Sequence, residues 1–494
     1  MLLIILVTSL SILVALFYIK WLKVRSYWAE RGVPFVPPNP FMGNLTFLQR
    51  KNPSIWMREV YTRYRAPYVG MWLFWRPALI INSPELARNV LVRDSGNFRN
   101  KFMTASSKDP IGALNLLFLK DPAWTNLRRR LTVAFTSAKL KSVQAVAVIK
   151  SHDLVTRIQN DGHNNISLRT MFADYTTDLF SITAFELASD ATLTGEGAIR
   201  AITKDFMQFS AYRGISWCGI FFWPELADLF GLPFLPKEST DTLRNIFKII
   251  FERKDVELNK EPRTLLDVLM QLKKKSEEDD NEDSEDFIIA QAAVLLIGGF
   301  DTSAATLTYV IYQLAYSPEV QEKLYQELLE LKEKHGYQLD AIVAESTYMD
   351  CIIKEVLRIF PPMSWLDRVA LEDYKVDEHL TIPAGMPIYV NGVGMQVDPQ
   401  YYDDPYTFDP ERFSAENEKN IPAYTYMPFG DGPRVCIGKR FAMIAMKNAM
   451  AAIILNYRVE SCPGSPKPMD AEIEKRGLFL MPGEDLKVNF IPRK

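Results

Sequence analysis

The sequence predicts a mainly α-helical chain with a small β region, tied to a membrane by a single N-terminal span. Three observations predict it. Residues 2–19 are apolar apart from Thr8, Ser9, Ser11 and Tyr18 and carry no charge. Most of the remaining chain alternates apolar and polar residues at the helical period. Runs rich in aromatic and β-branched residues are confined to 68–81 and to stretches of the C-terminal third, 374–390 and 478–490. With 494 residues, 48% of them hydrophobic, the chain has enough apolar material for one large core. The formal net charge of −3 argues against a nucleic-acid-binding body.

Eighteen apolar residues just suffice to cross a bilayer as a helix. Lys20, Lys23 and Arg25 follow at once, so the positive-inside rule leaves the body on the cytosolic side. No basic residue precedes the apolar run and no small-residue cleavage site closes it, which favours an uncleaved anchor over a signal peptide. The anchor is placed at 1–22. A Pro-rich stretch follows (Pro34, Pro37, Pro38, Pro40), whose fixed φ angles predict a stiff extended hinge over 23–45. The catalytic domain then runs over 46–494. The segment 68–81 reads as a strand pair. Residues 217–224 (WCGIFFWP), extended by 230–236, read as an irregular aromatic patch, either touching membrane or packed in the core. The charged run 273–286 reads as a solvated loop. Residues 287–311 are almost uncharged, with Asp301 the sole acid, and predict the longest helix.

Only four cysteines occur, Cys218, Cys351, Cys436 and Cys462, too few and too scattered for a disulfide framework. The four histidines show no metal-ligand spacing, so a thiolate is the better candidate for any metal. Cys436 lies in FGDGPRVCIG (429–438), ahead of a helical pattern. Amide donors and the positive end of that helix favour a thiolate there. Gly430, Gly432 and Gly438 admit a flat, bulky ligand, and Arg434 can meet its carboxylate. Gly298-Gly299-Phe300-Asp301-Thr302 sits inside the long apolar helix. A Thr hydroxyl bonded back to the preceding turn, beside two glycines, would open a groove, and an adjacent acid can relay protons.

The segment from Phe429 to Gly438 resembles the FxxGxRxCxG haem-binding signature of the cytochrome P-450 family, matched at every specified position. Three further motifs follow in family order, so the resemblance covers essentially the whole chain. It implies that Cys436 is the axial thiolate to haem iron, with Phe429, Arg434 and Gly438 at the cofactor. Gly298–Thr302 is similar to the oxygen-activation motif, which makes Asp301 and Thr302 the catalytic pair. Glu355 and Arg358 match the ExxR pair and Arg412 the PERF segment, a structural trio behind the haem. Trp124 and Arg128 resemble WxxxR, with Thr125 where a basic residue is common, and Arg368 matches a third propionate-binding position. Phe118, Phe209, Phe300, Trp365 and Phe479 fall near substrate-contacting segments.

The resemblance implies a haem-thiolate monooxygenase that inserts one oxygen atom of O2 into an apolar substrate. Electrons come from NADPH through NADPH–cytochrome P-450 reductase, since no dinucleotide fingerprint follows a strand here. Cytochrome b5 is a second possible donor. Docking is expected near Lys439, Arg440 and Lys447. Residues 28–38, 135–141 and 428–441 are most similar to insect microsomal members, which act on hormones, plant toxins and insecticides. That implies the endoplasmic reticulum membrane. Two rival functions are a haem-thiolate isomerase or dehydratase, and a non-catalytic haem protein. Asp301-Thr302 speaks against the first and the complete motif set against the second.

Overall fold

The computed structural model describes residues 1–48, 50–253, 261–278 and 284–493. The chain opens with the helix Leu2–Ser26, whose apolar side chains from Leu3 to Ile19 are exposed. Thr8 and Ser11 return their hydroxyls to the carbonyls of Ile4 and Val7 at 2.8 and 2.9 Å, so these two polar side chains are satisfied within the helix. By length and composition it is a candidate membrane anchor. The helix Ser284–Ala315 passes the same test, but 67% of its apolar window lies inside the fold, against 0% for the N-terminal helix. One lies outside the fold and the other inside it.

The Pro-rich stretch is extended, as its prolines require, and is fastened to the sheet rather than standing off from it. The Gly70 amide donates to the Pro34 carbonyl at 2.7 Å and Val36 donates back to Gly70 at 3.0 Å. Trp28 is fully buried, its Nε1 donating to the Met71 carbonyl at 3.1 Å, and Trp72 Nε1 donates to Val24 at 3.1 Å. Any side chain at Gly70 would collide with the Trp28 ring.

Nine strands occur among the described residues: β1 (Tyr68–Leu73), β2 (Arg76–Ile81), β3 (Ile166–Ser167), β4 (Leu366–Val369), β5 (Tyr374–Lys375), β6 (Thr381–Ile382), β7 (Pro387–Val390), β8 (Tyr457–Ser461) and β9 (Lys487–Pro492). The largest sheet has the order β1-β2-β7-β4, with β2 and β7 parallel and the other pairs antiparallel. A second sheet runs β3-β9-β8, and β5-β6 is a hairpin. The strand pair at 68–81 is present as predicted. The expected strand character over 478–490 begins only at Lys487. Residues 473–482 instead form a turn closed by the Ile473–Pro482 bridge, with Asn52 Nδ2 donating to the carbonyls of Glu474 and Phe479 at 2.7 and 2.8 Å.

Two further expectations are corrected. The aromatic patch is helical, in Ala211–Phe222 and Pro224–Phe230. Trp217, Ile220 and Phe221 recur at i, i+3 and i+4 and are buried, while Tyr212, Ile215, Leu229 and Phe230 are exposed. Core packing thus takes one face and leaves an apolar outer face. In the charged run, 273–278 close the helix Leu265–Glu278 and 284–286 open the next; 279–283 lie outside the described residues.

The helix Ser284–Ala315 is apolar on nearly all sides and crosses the main core, packed by the helix Leu168–Phe185. The helices Ser137–Asn160 and Lys439–Asn456 close the core beyond it. A smaller core around Trp28, Trp72, Ile388 and Met427 joins the largest sheet to the Cys436 loop.

Candidate functional site

The loop before the helix Lys439–Asn456 is folded back on itself by the Cys436 amide, which donates to the Phe429 carbonyl at 2.9 Å. Cys436 is the only exposed cysteine of the four, yet protein surrounds it closely enough for burial to raise its thiol pKa. The amides of Gly438 and Lys439 and the charges of Arg128 and Lys101 pull the other way without overcoming burial. The helix terminus favours the thiolate, as the sequence suggests, but burial outweighs it and the terminus alone does not make one. A coordinated metal would, because coordination deprotonates a thiol outright. Of the three glycines, Gly438 faces open space, whereas Gly432 is packed against the Leu91 carbonyl, where a side chain has no room, and Gly430 lies beside Leu366. Only Gly438 is free to admit a ligand.

Five cations converge beside this loop. Arg434 lies 3.9 Å over the Trp124 ring and donates to the carbonyls of Arg99 and Leu119 at 3.0 and 2.8 Å, while its Nη1 is buried with no partner. Arg128, one turn from Trp124 on the helix Ala123–Thr132, donates to the Val435 carbonyl at 2.8 Å. Arg368 donates to the Asp367 carbonyl at 2.7 Å. Lys120 donates to the carbonyls of Lys101 and Met103. Among the described residues none of these, nor Lys101, forms a salt bridge. The carboxylate in their midst, Asp367, accepts from the amides of Phe102 and Met103 at 2.8 and 3.3 Å. Burial first, then mutual repulsion, pushes Lys101 down to about 7, Lys120 to about 8, Arg434 to about 9 and, by burial, Arg368 to about 10. Such a cluster wants anions.

On the helix Ser284–Ala315, Gly298 is exposed among mostly buried residues, with open space where a side chain would stand. Thr302 Oγ1 donates to the Gly298 carbonyl at 2.9 Å, the predicted back-bond. Gly299 does not widen this groove, because the Phe180 ring fills the space above it. Asp301 is ion-paired with Arg169, a partner the sequence does not reveal. Phe300 is fully buried, two residues and so about 200° of helix turn from Gly298. It belongs to the core.

A family model described as "Cytochrome P450" matches residues 33–490. The chain belongs to the cytochrome P-450 family. Cytochrome P450 6k1 of Blattella germanica is 32% identical, over 98% of this chain and 96% of that protein. Cytochrome P450 6l1 of the same species is 32% identical over the same shares, and a probable cytochrome P450 6g2 of Drosophila melanogaster 30% over 90% and 91%. Cytochromes P-450 are haem-thiolate monooxygenases using O2 and electrons passed from NADPH by a reductase, and the chain is an enzyme of that class.

The residues fit a cytochrome P-450 haem. Among the described residues no three His, Cys, Asp or Glu could hold a metal ion together, so an iron at Cys436 must bring its other ligands with it. A porphyrin does, and its propionates are the anions the cation cluster lacks. Lys101 and Lys120 belong to that cluster, yet no motif marks them.

Behind the loop, Glu355 receives Arg358 through two hydrogen bonds of 2.8 and 2.7 Å, both residues fully buried, with Arg412 at 3.5 Å. Arg358 also donates to the Gln396 carbonyl at 2.8 Å, and Gln396 Oε1 accepts the Met427 amide at 3.2 Å, two residues before Phe429. The trio therefore sets the entry to the Cys436 loop. Phe118, Trp365 and Phe479 join one aromatic network with Trp217, Phe221, Phe222 and Phe234, ring centroids 4.8–6.4 Å apart. Phe209 stands outside it, half-exposed against Gly477 and Arg476. Of the expected docking cations, Lys439 and Arg440 are exposed, but Lys447 is tied to Asp350 and the Ser346 carbonyl at 2.8 and 3.1 Å. Arg129 and Arg130 are exposed, with no carboxylate partner among the described residues.

Proposed function

We propose that this monooxygenase holds its haem between Cys436 and the Gly298–Thr302 segment and oxidises an apolar organic substrate. The observation that carries the reading is the set of five buried or half-buried cations, none salt-bridged to a carboxylate among the described residues, beside an accessible thiol. Cys436 Sγ would hold the iron, Gly438 and Phe429 would contact the haem, and Trp124, Arg128, Arg368 and Arg434, with Lys101 and Lys120, would hold the propionates. When bound, the thiolate-ligated haem supplies activation of O2. Inserting one oxygen atom into a C–H bond takes O2, two electrons and two protons and releases water. Asp301 and Thr302 would carry the protons: Thr302 Oγ stays on the site side because its hydrogen is held by Gly298, and Asp301 sits beside it with one oxygen outside the Arg169 pair. The aromatic network of Phe118, Trp217, Phe221, Phe222 and Phe479 would bind the substrate by apolar burial and exclude water.

The helix Leu2–Ser26 would anchor the protein in the endoplasmic reticulum membrane with its body in the cytosol, aided by the outer apolar face of Ala211–Phe230. We divide the chain into an anchor at 1–22, a connecting stretch at 23–45 and a catalytic domain at 46–494. NADPH–cytochrome P-450 reductase, and cytochrome b5 as second donor, would dock on Arg129, Arg130, Lys439 and Arg440. The likeness to insect relatives supports hormones, plant toxins or insecticides as substrates. The test is a titration of the purified haem protein with such compounds, read by the spin-state change, followed by NADPH and O2 consumption with the reductase. Stoichiometric NADPH, O2 and hydroxylated product support the reading; rearrangement without NADPH use would make it an isomerase.

A further inference from the structure

The helix Leu168–Phe185 grips the oxygen-activation segment at three successive residues. Phe180 lies against Gly299, so closely that no side chain fits there. Thr176 Oγ1 donates to the Phe300 carbonyl at 3.0 Å as well as to its own Phe172 carbonyl at 2.8 Å. Arg169 pairs with the Asp301 carboxylate through Nη2, which also meets Met481 Sδ at 3.2 Å. Positions 169, 176 and 180 fall on one stripe of that helix. The stripe is spent on the residues immediately before Thr302.

The ion pair is not an ordinary surface pair. Arg169 and Asp301 are only 17% and 16% exposed, so the pair is weakly screened. Arg169 Nη1 is buried without a partner. An idle buried donor costs about as much as a lost hydrogen bond unless something else comes to meet it. Among the described residues Asp301 accepts its hydrogen bond through Oδ1, which leaves Oδ2 for a water or for the Thr302 side, with the Arg213 charge near enough to act on the carboxylate. Arg169 thus fixes which carboxylate oxygen is available and where it stands, while its own idle donor can follow the carboxylate or hold a water on the path.

We propose that Arg169 is a positioning residue of the monooxygenase reaction: through its pair with Asp301, and with Thr176 and Phe180 fixing the backbone, it sets the proton path to Thr302. This rests on the reading of Asp301 as a proton relay. The chemistry makes the consequence visible. Productive turnover consumes O2, two electrons from NADPH and two protons to give oxidised substrate and water. When protons arrive wrongly placed, the same O2, electrons and protons leave as hydrogen peroxide and the substrate is unchanged.

The experiment compares Arg169→Met, Arg169→Lys, Asp301→Asn and the double variant Arg169→Met/Asp301→Asn as full-length haem protein with reductase. The readouts are product per NADPH, peroxide release, KM, the substrate-induced spin shift and the thermal midpoint. Arg169→Met is expected to lower product per NADPH by roughly tenfold, less than the roughly hundredfold or more that a proton-transfer group itself supplies, and to raise peroxide release. KM and spin shift should stay near wild type, and Arg169→Lys should recover most of the coupling. The double variant should be no worse than Asp301→Asn alone, in coupling and in thermal midpoint alike. Wild-type coupling in Arg169→Met beside a defective Asp301→Asn would overturn the proposal and leave the relay standing. Additive losses in the double variant would overturn it too. Unchanged coupling in Asp301→Asn would remove the relay itself and the proposal with it. If Arg169→Met does not retain haem, Arg169→Gln takes its place, and the same outcomes support or overturn the proposal.

Discussion

Two groups of charged side chains flank the Cys436 loop, and they are built on opposite principles. Behind the loop, Glu355, Arg358 and Arg412 are ion-paired with one another: the acid meets both arginines and the Asp409 amide, Arg358 has the Gln396 carbonyl as well, and Arg412 Nε stands 3.5 Å from the acid, short of a hydrogen bond. Beside the loop, Lys101, Lys120, Arg128, Arg368 and Arg434 form no salt bridge among the described residues, Asp367 acts on four of them only from a distance, and their pKa values are depressed. A closed network of buried charge is scaffold, because every member needs the others and nothing else can enter. An open one is a binding site, because its cost is recovered only when anions arrive. The difference separates residues that build the site from residues that hold what sits in it.

Breaking the closed network should have the largest effect. Glu355→Gln leaves the Arg358 guanidinium buried against a neutral group, at a cost of about 3–5 kcal/mol. The expected outcome is loss of folded haem protein, read by thermal unfolding and haem content. A stable, haem-loaded Glu355→Gln would mean that the network is not closed. The open network should respond oppositely. Arg368→Ala or Arg434→Ala removes a propionate partner worth about 1.5–3 kcal/mol, so haem should pass to a scavenger protein roughly tenfold to a hundredfold faster. The haem-free fold should be no less stable, since one repelling cation is gone. Equal destabilisation of both forms would erase the distinction.

A smaller effect sharpens it. Lys101 falls from 10.5 to about 7 on folding. Between roughly pH 7 and pH 10 the unfolded chain therefore holds a proton that the fold has lost, and stability of the haem-free protein should rise with pH across that window. Lys101→Met should flatten the rise in denaturant unfolding followed against pH, and bound haem should flatten it in the unmutated protein. A slope unchanged by the substitution would show that Lys101 is solvated.

The two networks also differ in how far the sequence betrays them. Glu355 and Arg358 stand three residues apart on one helix, Cys436 lies in a ten-residue arrangement, and Thr302 bonds to Gly298 one turn back. Local spacing carries all of these. Lys101 and Lys120 look like any surface lysine, and only the tertiary packing of Asp367 and Arg434 around them makes them part of a site. Arg169 is likewise invisible, because its partner lies 132 residues away. Elsewhere the signal is present but masked. The i, i+3, i+4 recurrence of Trp217, Ile220 and Phe221 marks a helix, but Gly219 and the Trp223-Pro224 step obscure it. Helical turn geometry alone sets Phe300 apart from Thr302. Lys447 looks free in the sequence because nothing near it announces Asp350.

The open network has a purpose only if its cations hold the propionates of a haem whose iron is bound by Cys436 sulfur. The direct measurement is the absorption spectrum of the reduced, carbon-monoxide-treated protein beside Cys436→Ala and Cys351→Ala. The account predicts the strongly red-shifted Soret band of thiolate-ligated iron in the unmutated protein and in Cys351→Ala, and its loss in Cys436→Ala. The same band surviving in Cys436→Ala would contradict it.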